Sequence, residues 1–390
     1  MKVTGIIAEY NPLHNGHRYQ LQQARQTSQA DVVIVCMSGN YVQRGEPAVL
    51  DKWTRAQLAL AAGADMVVEL PFASAVQPAD RFATGAIDLL AQLGCQTVAF
   101  GSEEAAFDYQ TIGQKIAALP AQSAAFVDYQ KTYATQLNEF YQQTLNLSID
   151  QPNHLLGISY AVANARLAQP MQLVAIERQQ AQHADQLIQT GVYASASAIR
   201  KVLAHTPVDL TTVQPVVPAT TMAALTTQQG VQWSQLWPLL QYRINSTPLA
   251  ELRQVYQMSE GLEYRFKKVI TQVDSYEALL QALKTKRYTY ARLQRVCLYV
   301  LLNIKDTAIQ QTLEQPYVRL LGFNQVGQTY LHQLKKQLTW PLISKISAKL
   351  GAETGLLGLE VRVDRLFEQL TNTHQNFARQ PLFYQGKDVE

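Results

Sequence analysis

The apolar positions of this chain follow two regimes. Up to residue 200, short apolar runs alternate with stretches in which apolar residues recur every three to four positions, the pattern of strands separated by amphipathic helices. Residues 3–8, 31–37, 66–70, 97–101 and 173–177 predict strands, and 16–28, 52–62, 79–93, 105–119, 122–145 and 153–167 predict the helices around them. Such alternation predicts an α/β fold with a doubly wound, mostly parallel, Rossmann-like sheet. Beyond Arg200 the strand signals fade. Residues 206–218, with Pro207, Pro215 and Pro218, read as a linker. Residues 236–242, 248–258, 262–273, 276–284, 290–304 and 363–370 read as helices. The expected organisation is a catalytic domain over residues 1–205 and a mainly helical domain over 206–390.

In a doubly wound sheet, ligands bind beyond the carboxyl ends of the strands. Residues 9–14, 38–51, 101–104 and 178–195 follow predicted strands, so they should meet on one rim. The last is long and polar, as a mobile loop closing over a site would be. No apolar stretch approaches the roughly 18 residues of a transmembrane helix. Met1-Lys2 leads straight into the first strand, which predicts a cytoplasmic protein with no signal peptide and no membrane partner. Cys36, Cys95 and Cys297 are too few and too scattered for a disulfide framework or a zinc site, and read as buried reduced thiols.

Charge changes the picture once the chain is halved. Residues 1–199 hold 11 Lys and Arg against 16 Asp and Glu, and residues 200–390 hold 22 against 14. A basic second half suits a polyanion, although a solvated basic face gives the same count.

The densest chemistry lies after the first strand, in His14-Asn15-Gly16-His17. Helix starts carry unpaired N–H groups and positive dipole, so a strand-to-helix turn in this fold favours phosphate. Glycine at 16 lets a ligand approach the backbone, and each imidazole offers a donor to a phosphate oxygen. A second helix start, Ser195-Ala196-Ser197-Ala198-Ile199-Arg200, has Ser197 as candidate N-cap and Arg200 one turn on, where its guanidinium could fork onto phosphate. Either motif alone also fits an ordinary helix start.

Together these motifs resemble the nucleotidyltransferase superfamily, with its H-x-G-H near the N-terminus and a later I-S-S-T-x-x-R-like motif. Here Ala194, Ala196 and Ser197 replace the usual Ile, Ser and Thr, so the hydroxyl at 196 is missing. The segments 9–17, 38–48, 51–53, 68–71, 100–103 and 152–157 are similar to the bacterial tRNA(Met) cytidine acetate ligase family, closely in the first half and more loosely beyond. That resemblance implies ATP-dependent activation of acetate as acetyl-adenylate, then acetyl transfer to N4 of the wobble cytidine of elongator tRNA(Met). It implies ATP contacts at residues 7–20, including Ile7, Ala8, Glu9, Tyr10, Asn11, His14, Asn15, Gly16 and His17, and at Gly101, Asn153 and Arg178. Each of the last three also reads as an ordinary feature: a turn glycine, a helix cap and a surface arginine.

His14 and His17 are the expected catalytic donors, with Ser197, Arg200 and the Lys52 region assisting and Mg²⁺ shielding the triphosphate. Arg44, Glu46, Asp51 and Lys52 keep open roles, because structural ion pairs explain such residues equally well. In the second half, residues 284–295 interleave cations with aromatics, which makes Lys286, Arg287, Arg292 and Arg295 the candidate RNA contacts. Two other readings stay open: a nucleotidyltransferase acting on a small phosphorylated metabolite, and a non-catalytic RNA-binding protein.

Overall fold

A computed structural model describes residues 1–119, 133–145, 151–179, 188, 191–205, 208–228 and 230–386. Among the described residues eight strands form one sheet: β1 (Val3–Ala8), β2 (Val32–Ser38), β3 (Met66–Leu70), β4 (Thr97–Ser102), β5 (Gln172–Glu177), β6 (Val318–Phe323), β7 (Leu342–Ile343) and β8 (Leu382–Phe383). The first five are parallel, in the spatial order β3-β2-β1-β4-β5. Both neighbours of β1 therefore lie on opposite sides of a topological switch point, where the loops after β1 and β4 part and leave a crevice.

Helices of eight or more residues are numbered in chain order. The first seven are α1 (Asn15–Ser28), α2 (Lys52–Ala61), α3 (Ala79–Gln92), α4 (Tyr109–Ala117), α5 (Tyr133–Leu145), α6 (Pro152–Ala165) and α7 (Ala196–Ala204). Residues of α1 and α2 share one core with one face of the sheet, and those of α3, α4 and α6 share another with the opposite face. Strands buried on both faces must be apolar throughout, and β2 (VVIVCMS) is. The helix expected over 105–119 starts only at Tyr109, because Asp108 caps it by accepting from Thr111 N at 3.0 Å. Of the helix expected over 122–145, only 133–145 falls among the described residues.

The second half is helical through α8 (Ala219–Thr227), α9 (Trp233–Ser246), α10 (Leu262–Val269), α11 (Tyr276–Leu283), α12 (Tyr290–Leu302) and α13 (Asp306–Glu314). Residues 248–258 hold one short turn, Leu249–Leu252, rather than a full helix. The expected linker over 206–218 is a structured plug where it is described: Val213, Val216 and Val217 pack with Val49, Ala194, Ile199 and Leu203.

The boundary expected at 205/206 falls within the sheet, with β1–β5 before it and β6–β8 after it. Beyond α13, β6 adds antiparallel to β3, so residues 318–323 complete the first-half sheet before α14 (Gln325–Leu334) and α15 (Gly358–Thr371). A single apolar run among helices gives no alternation to mark it as part of a distant sheet. The weld is also ionic. Fully buried Lys52 Nζ lies 2.7 Å from Glu69 Oε1 on β3 and 2.6 Å from Asp364 Oδ2 on α15, and Arg319 of β6 lies 3.0 Å from Glu69 Oε2. The core of the helical half likewise takes in Tyr41, Phe72, Ala73 and Val76 from the first half.

Candidate active site

The site forms where the loop after β1 meets α1, beside the end of β4. His14 is the N-cap of α1: its Nδ1 accepts from Gly16 N at 3.1 Å. His17 reaches back so that its Nδ1 faces His14 N at 3.4 Å. The two rings stack with centroids 3.7 Å apart, and buried Tyr10 sets its ring edge against His17 at 5.0 Å. Gly16 serves this stack directly, since a Cβ there would sit 2.9 Å from His14 Cε1. The glycine makes room for an imidazole as well as for a ligand.

Burial pushes the pKa of His14 down to about 3, with the charges of Arg178 and Arg200 adding to the effect. Burial likewise lowers His17, helped by His14 and Arg178 and opposed by the Pro12 carbonyl. Both rings are neutral at physiological pH. Because Nδ1 of His14 accepts a backbone N–H, its own proton sits on Nε2, which leaves that atom as a donor. The rim thus holds neutral imidazoles that feel the charge of nearby guanidinium groups, an arrangement suited to an anion that gains charge during reaction.

Arg200 is fixed from the first half. Its Nη1 donates to Asn11 O at 2.9 Å and its Nη2 lies 3.2 Å from Glu46 Oε2. Glu46 in turn accepts from Gln294 Nε2 of α12 at 3.3 Å. Gly45, at φ +80, brings this loop so close to α12 that a Cβ would lie 2.7 Å from the Arg295 backbone. The N-cap of α7 is Ser195, which accepts from Ala198 N at 3.1 Å, and not Ser197. Ser197 sits in the first turn, its hydroxyl 3.1 Å from that of Ser195.

At the end of β4, a Cβ on Gly101 would meet only Arg178 Cγ, at 3.7 Å, so protein packing does not demand glycine there. Glu103 organises this side, a role that its sequence position alone did not signal. Its carboxylate accepts from Asn153 Nδ2 and, at 3.1 Å, from His154 N, and it lies 3.9 Å from Arg178 Nε. Asn153 is thereby a first-turn residue of α6 aimed at Glu103, and Gln151, not Asn153, is the cap. Arg55 was equally silent in the sequence. Fully buried, it donates to the carbonyls of Glu9 (2.7 Å), Ser38 (2.9 Å), Leu50 (2.9 Å) and Gly39, tying the loops after β1 and β2 into one frame.

Several expected contacts have other occupations. Side chains of Ile7 and Tyr10 lie in the core, and Asn11 Oδ1 accepts from Val49 N at 2.8 Å. The Tyr10 hydroxyl and Asn11 Nδ2 are buried with no hydrogen-bond partner among the described residues. Ala8 is partly buried at the end of β1. The Asn15 amide holds the carbonyls of Val192 (2.9 Å) and Pro215 (3.0 Å). Glu9 accepts from Gln43 N at 3.0 Å, and burial raises its pKa. Lys52 is locked in the buried cluster and cannot assist at the rim. Asp51 caps α2, accepting from Trp53 N at 2.8 Å. Among the described residues no group of three or more His, Cys, Asp or Glu could hold a metal ion. Most of the loop expected to close over the site, including 180–187, lies outside the described residues.

In the second half the basic run divides. Lys286 and Arg287 are exposed. Arg292 donates to Ser259 Oγ at 2.8 Å and stacks over the Tyr288 ring at 4.9 Å. Arg295 is buried, 6% exposed, so it is not an RNA-facing residue. The helical face it shares with Tyr299 is the packing face, where the Tyr299 hydroxyl donates to Val76 O.

A sequence profile of the HIGH Nucleotidyl Transferase family matches residues 1–381. The chain is 74% identical over 388 residues to the tRNA(Met) cytidine acetate ligase of Latilactobacillus sakei subsp. sakei (strain 23K), covering 100% of this chain and 99% of that one. It is 47% identical over 383 residues to the protein of the same name from Lactobacillus gasseri, covering 98% and 99%. A crystal structure of Thermotoga maritima TmcAL in its apo form superposes with a TM-score of 0.89 at 26% identity, over 99% of this chain and 100% of that one. A second, bound with alpha-thio ATP, gives a TM-score of 0.85 with the same identity and coverage. With its paired imidazoles at the α1 start and matches over nearly its full length, the chain belongs to the tRNA(Met) cytidine acetate ligase family of HIGH nucleotidyl transferases.

Proposed function

We propose that the protein is an ATP-dependent ligase that forms N4-acetylcytidine at wobble position 34 of elongator tRNA(Met). The observation that carries this reading is the neutral His14–His17 stack at the start of α1, within the electrostatic reach of Arg178 and, at His14, of Arg200 as well. An acetate oxygen attacks the α-phosphorus of ATP and pyrophosphate leaves, giving acetyl-adenylate. The cytidine N4 amine then attacks the acetyl carbonyl, loses a proton and releases AMP. Neither step needs a nucleophile from the protein. Its contribution is alignment and stabilisation of charge on the pentacoordinate phosphorus.

In this reading Nε2–H of His14, the His17 imidazole and the guanidinium of Arg200 face the phosphates, with Ser197 beside them. Backbone groups of residues 7–17, the open space above Gly101, and the Glu103-held Asn153 and Arg178 receive the rest of the nucleotide. Since Glu46 and Asp51 are engaged elsewhere, Mg²⁺ would ride on triphosphate oxygens and water, where it offsets charge. The exposed cations of the second half, Lys286 and Arg287, with Arg292 beside them, meet tRNA phosphates.

Nucleoside mass spectrometry of tRNA incubated with protein, ATP and acetate tests the reading. N4-acetylcytidine that requires both ATP and acetate supports it. Adenylyl transfer to a phosphoester, or no turnover at all, overturns it.

A further inference from the structure

Between α10 and the 285–288 loop lies an open groove of about 640 Å³, edged by Tyr264, Arg265, Lys268, Lys286 and Arg287, with Tyr288 also lining it. Four cations face one acid, Glu260. Tyr264 is 55% exposed, yet its ring is not loose: the Arg253 guanidinium lies 5.0 Å from its centroid and donates to its hydroxyl. Arg253 is itself held by Glu263 Oε1 at 2.8 Å. Arg265 is anchored too, one arm donating to Ala282 O at 2.6 Å. A fixed exposed aromatic ringed by cations is the chemistry that receives an unpaired base and its phosphates.

The groove also lies near the rim. Gln294, which touches the Glu46 that holds Arg200, is six residues beyond Tyr288. The helical rise from Tyr290 to Gln294 is about 6 Å, and the two residues before it add at most about 7 Å. Tyr288, which lines the groove, is therefore within about 13 Å of Gln294 along the chain.

We infer that this groove seats an unpaired nucleotide of the RNA substrate other than the one acetylated, its base stacked on Tyr264 and its phosphates held by Lys268, Lys286 and Arg287. The inference rests on the proposed function for the identity of the RNA. It adds Tyr264, Arg265 and Lys268, which the basic run in the sequence did not include.

The test measures Kd for a stem–loop RNA carrying the anticodon loop of tRNA(Met), as a function of salt, together with acetate-dependent pyrophosphate exchange. Stacking on one aromatic implies that Tyr264→Ala weakens RNA binding by roughly tenfold or more, while Tyr264→Trp restores it. Lys268→Ala and Lys286→Ala should each flatten the slope of log K against log salt by roughly 0.7. Acetate-dependent exchange and the melting temperature should persist in Tyr264→Ala and so report its folding. An unchanged Kd in Tyr264→Ala, or unchanged slopes in both lysine variants, overturns the groove. So does binding of acidic phospholipid vesicles that Tyr264→Ala weakens as much as it weakens RNA. Absence of acetylcytidine with the unaltered protein would instead overturn the proposed function, and the RNA Kd would still judge the groove.

Discussion

The rim around α1 and the basic face around α10–α12 are built on different principles. At the rim, function follows from backbone geometry: a helix start orients its own cap, and His14 and His17 are placed by contacts within four residues. On the basic face, function depends on which side of a helix faces solvent, and that is decided by elements far away in sequence. Arg292 and Arg295 are one turn apart, yet one edges the surface and the other is buried, within reach of Asp80 on α3 and of Tyr256 and Tyr299. Local chemistry therefore survives reading from sequence, whereas the identity of a surface needs its partner.

The joint between the two regions offers the harshest break. Lys52→Met would leave Glu69 and Asp364 as buried carboxylates without their shared cation. Removing one member of a buried pair typically costs about 3–5 kcal/mol. Chemical denaturation should show that loss, and both pyrophosphate exchange and RNA binding should fall with it.

His17→Ala should act on the rim alone. Loss of one transition-state donor lowers the rate by about 10²–10³, so acetate-dependent exchange should fall by that factor, with ATP affinity and RNA affinity little changed. Equal losses in ATP binding and turnover would make His17 a ground-state contact.

Arg295→Ala and Lys286→Ala/Arg287→Ala separate the two kinds of cation on the basic face. The double variant should lower RNA affinity and its salt dependence, by roughly 0.7 of slope per lost phosphate contact, without lowering the melting temperature. Arg295→Ala should lower the melting temperature instead. Reversal of these two outcomes would restore Arg295 to the RNA face.

The last effect shows only in acid. His14 keeps its pKa near 3 in the fold, against roughly 6.5 when unfolded. Between those values the unfolded chain binds a proton that the native chain refuses, so native stability declines as pH falls from about 6.5 towards 3. Above pH 6.5 this group contributes nothing to the pH dependence. His14→Gln should show a shallower acid decline in melting temperature.

The parallel sheet was legible because both-face burial demands continuous apolar runs, and β1 to β5 are such runs separated by periodic helices. β6 was not: Val318–Phe323 is interrupted by Arg319, its partner β3 lies some 250 residues earlier, and nothing local marks that pairing. The site shows the same division. His14, His17 and Arg200 were visible as short motifs at helix starts. Glu103 lay in the family-like segment 100–103 without a role, Arg55 in no motif, and both roles exist only through the groups they hold. The cap of α7 fell two residues from its expected place because Ser195 and Ser197 offer the same hydroxyl, and backbone geometry alone chooses between them.

One labelling experiment addresses the chemistry at the rim most directly. Acetate labelled with ¹⁸O in both carboxyl oxygens is incubated with protein, ATP and tRNA(Met), and the AMP is analysed by mass spectrometry. Attack of acetate on the α-phosphorus, followed by acyl transfer to N4, leaves one acetate oxygen in the phosphate, so each AMP formed with acetylcytidine should carry one ¹⁸O. Unlabelled AMP accompanying acetylcytidine would mean that no acetyl-adenylate forms, and would contradict the account.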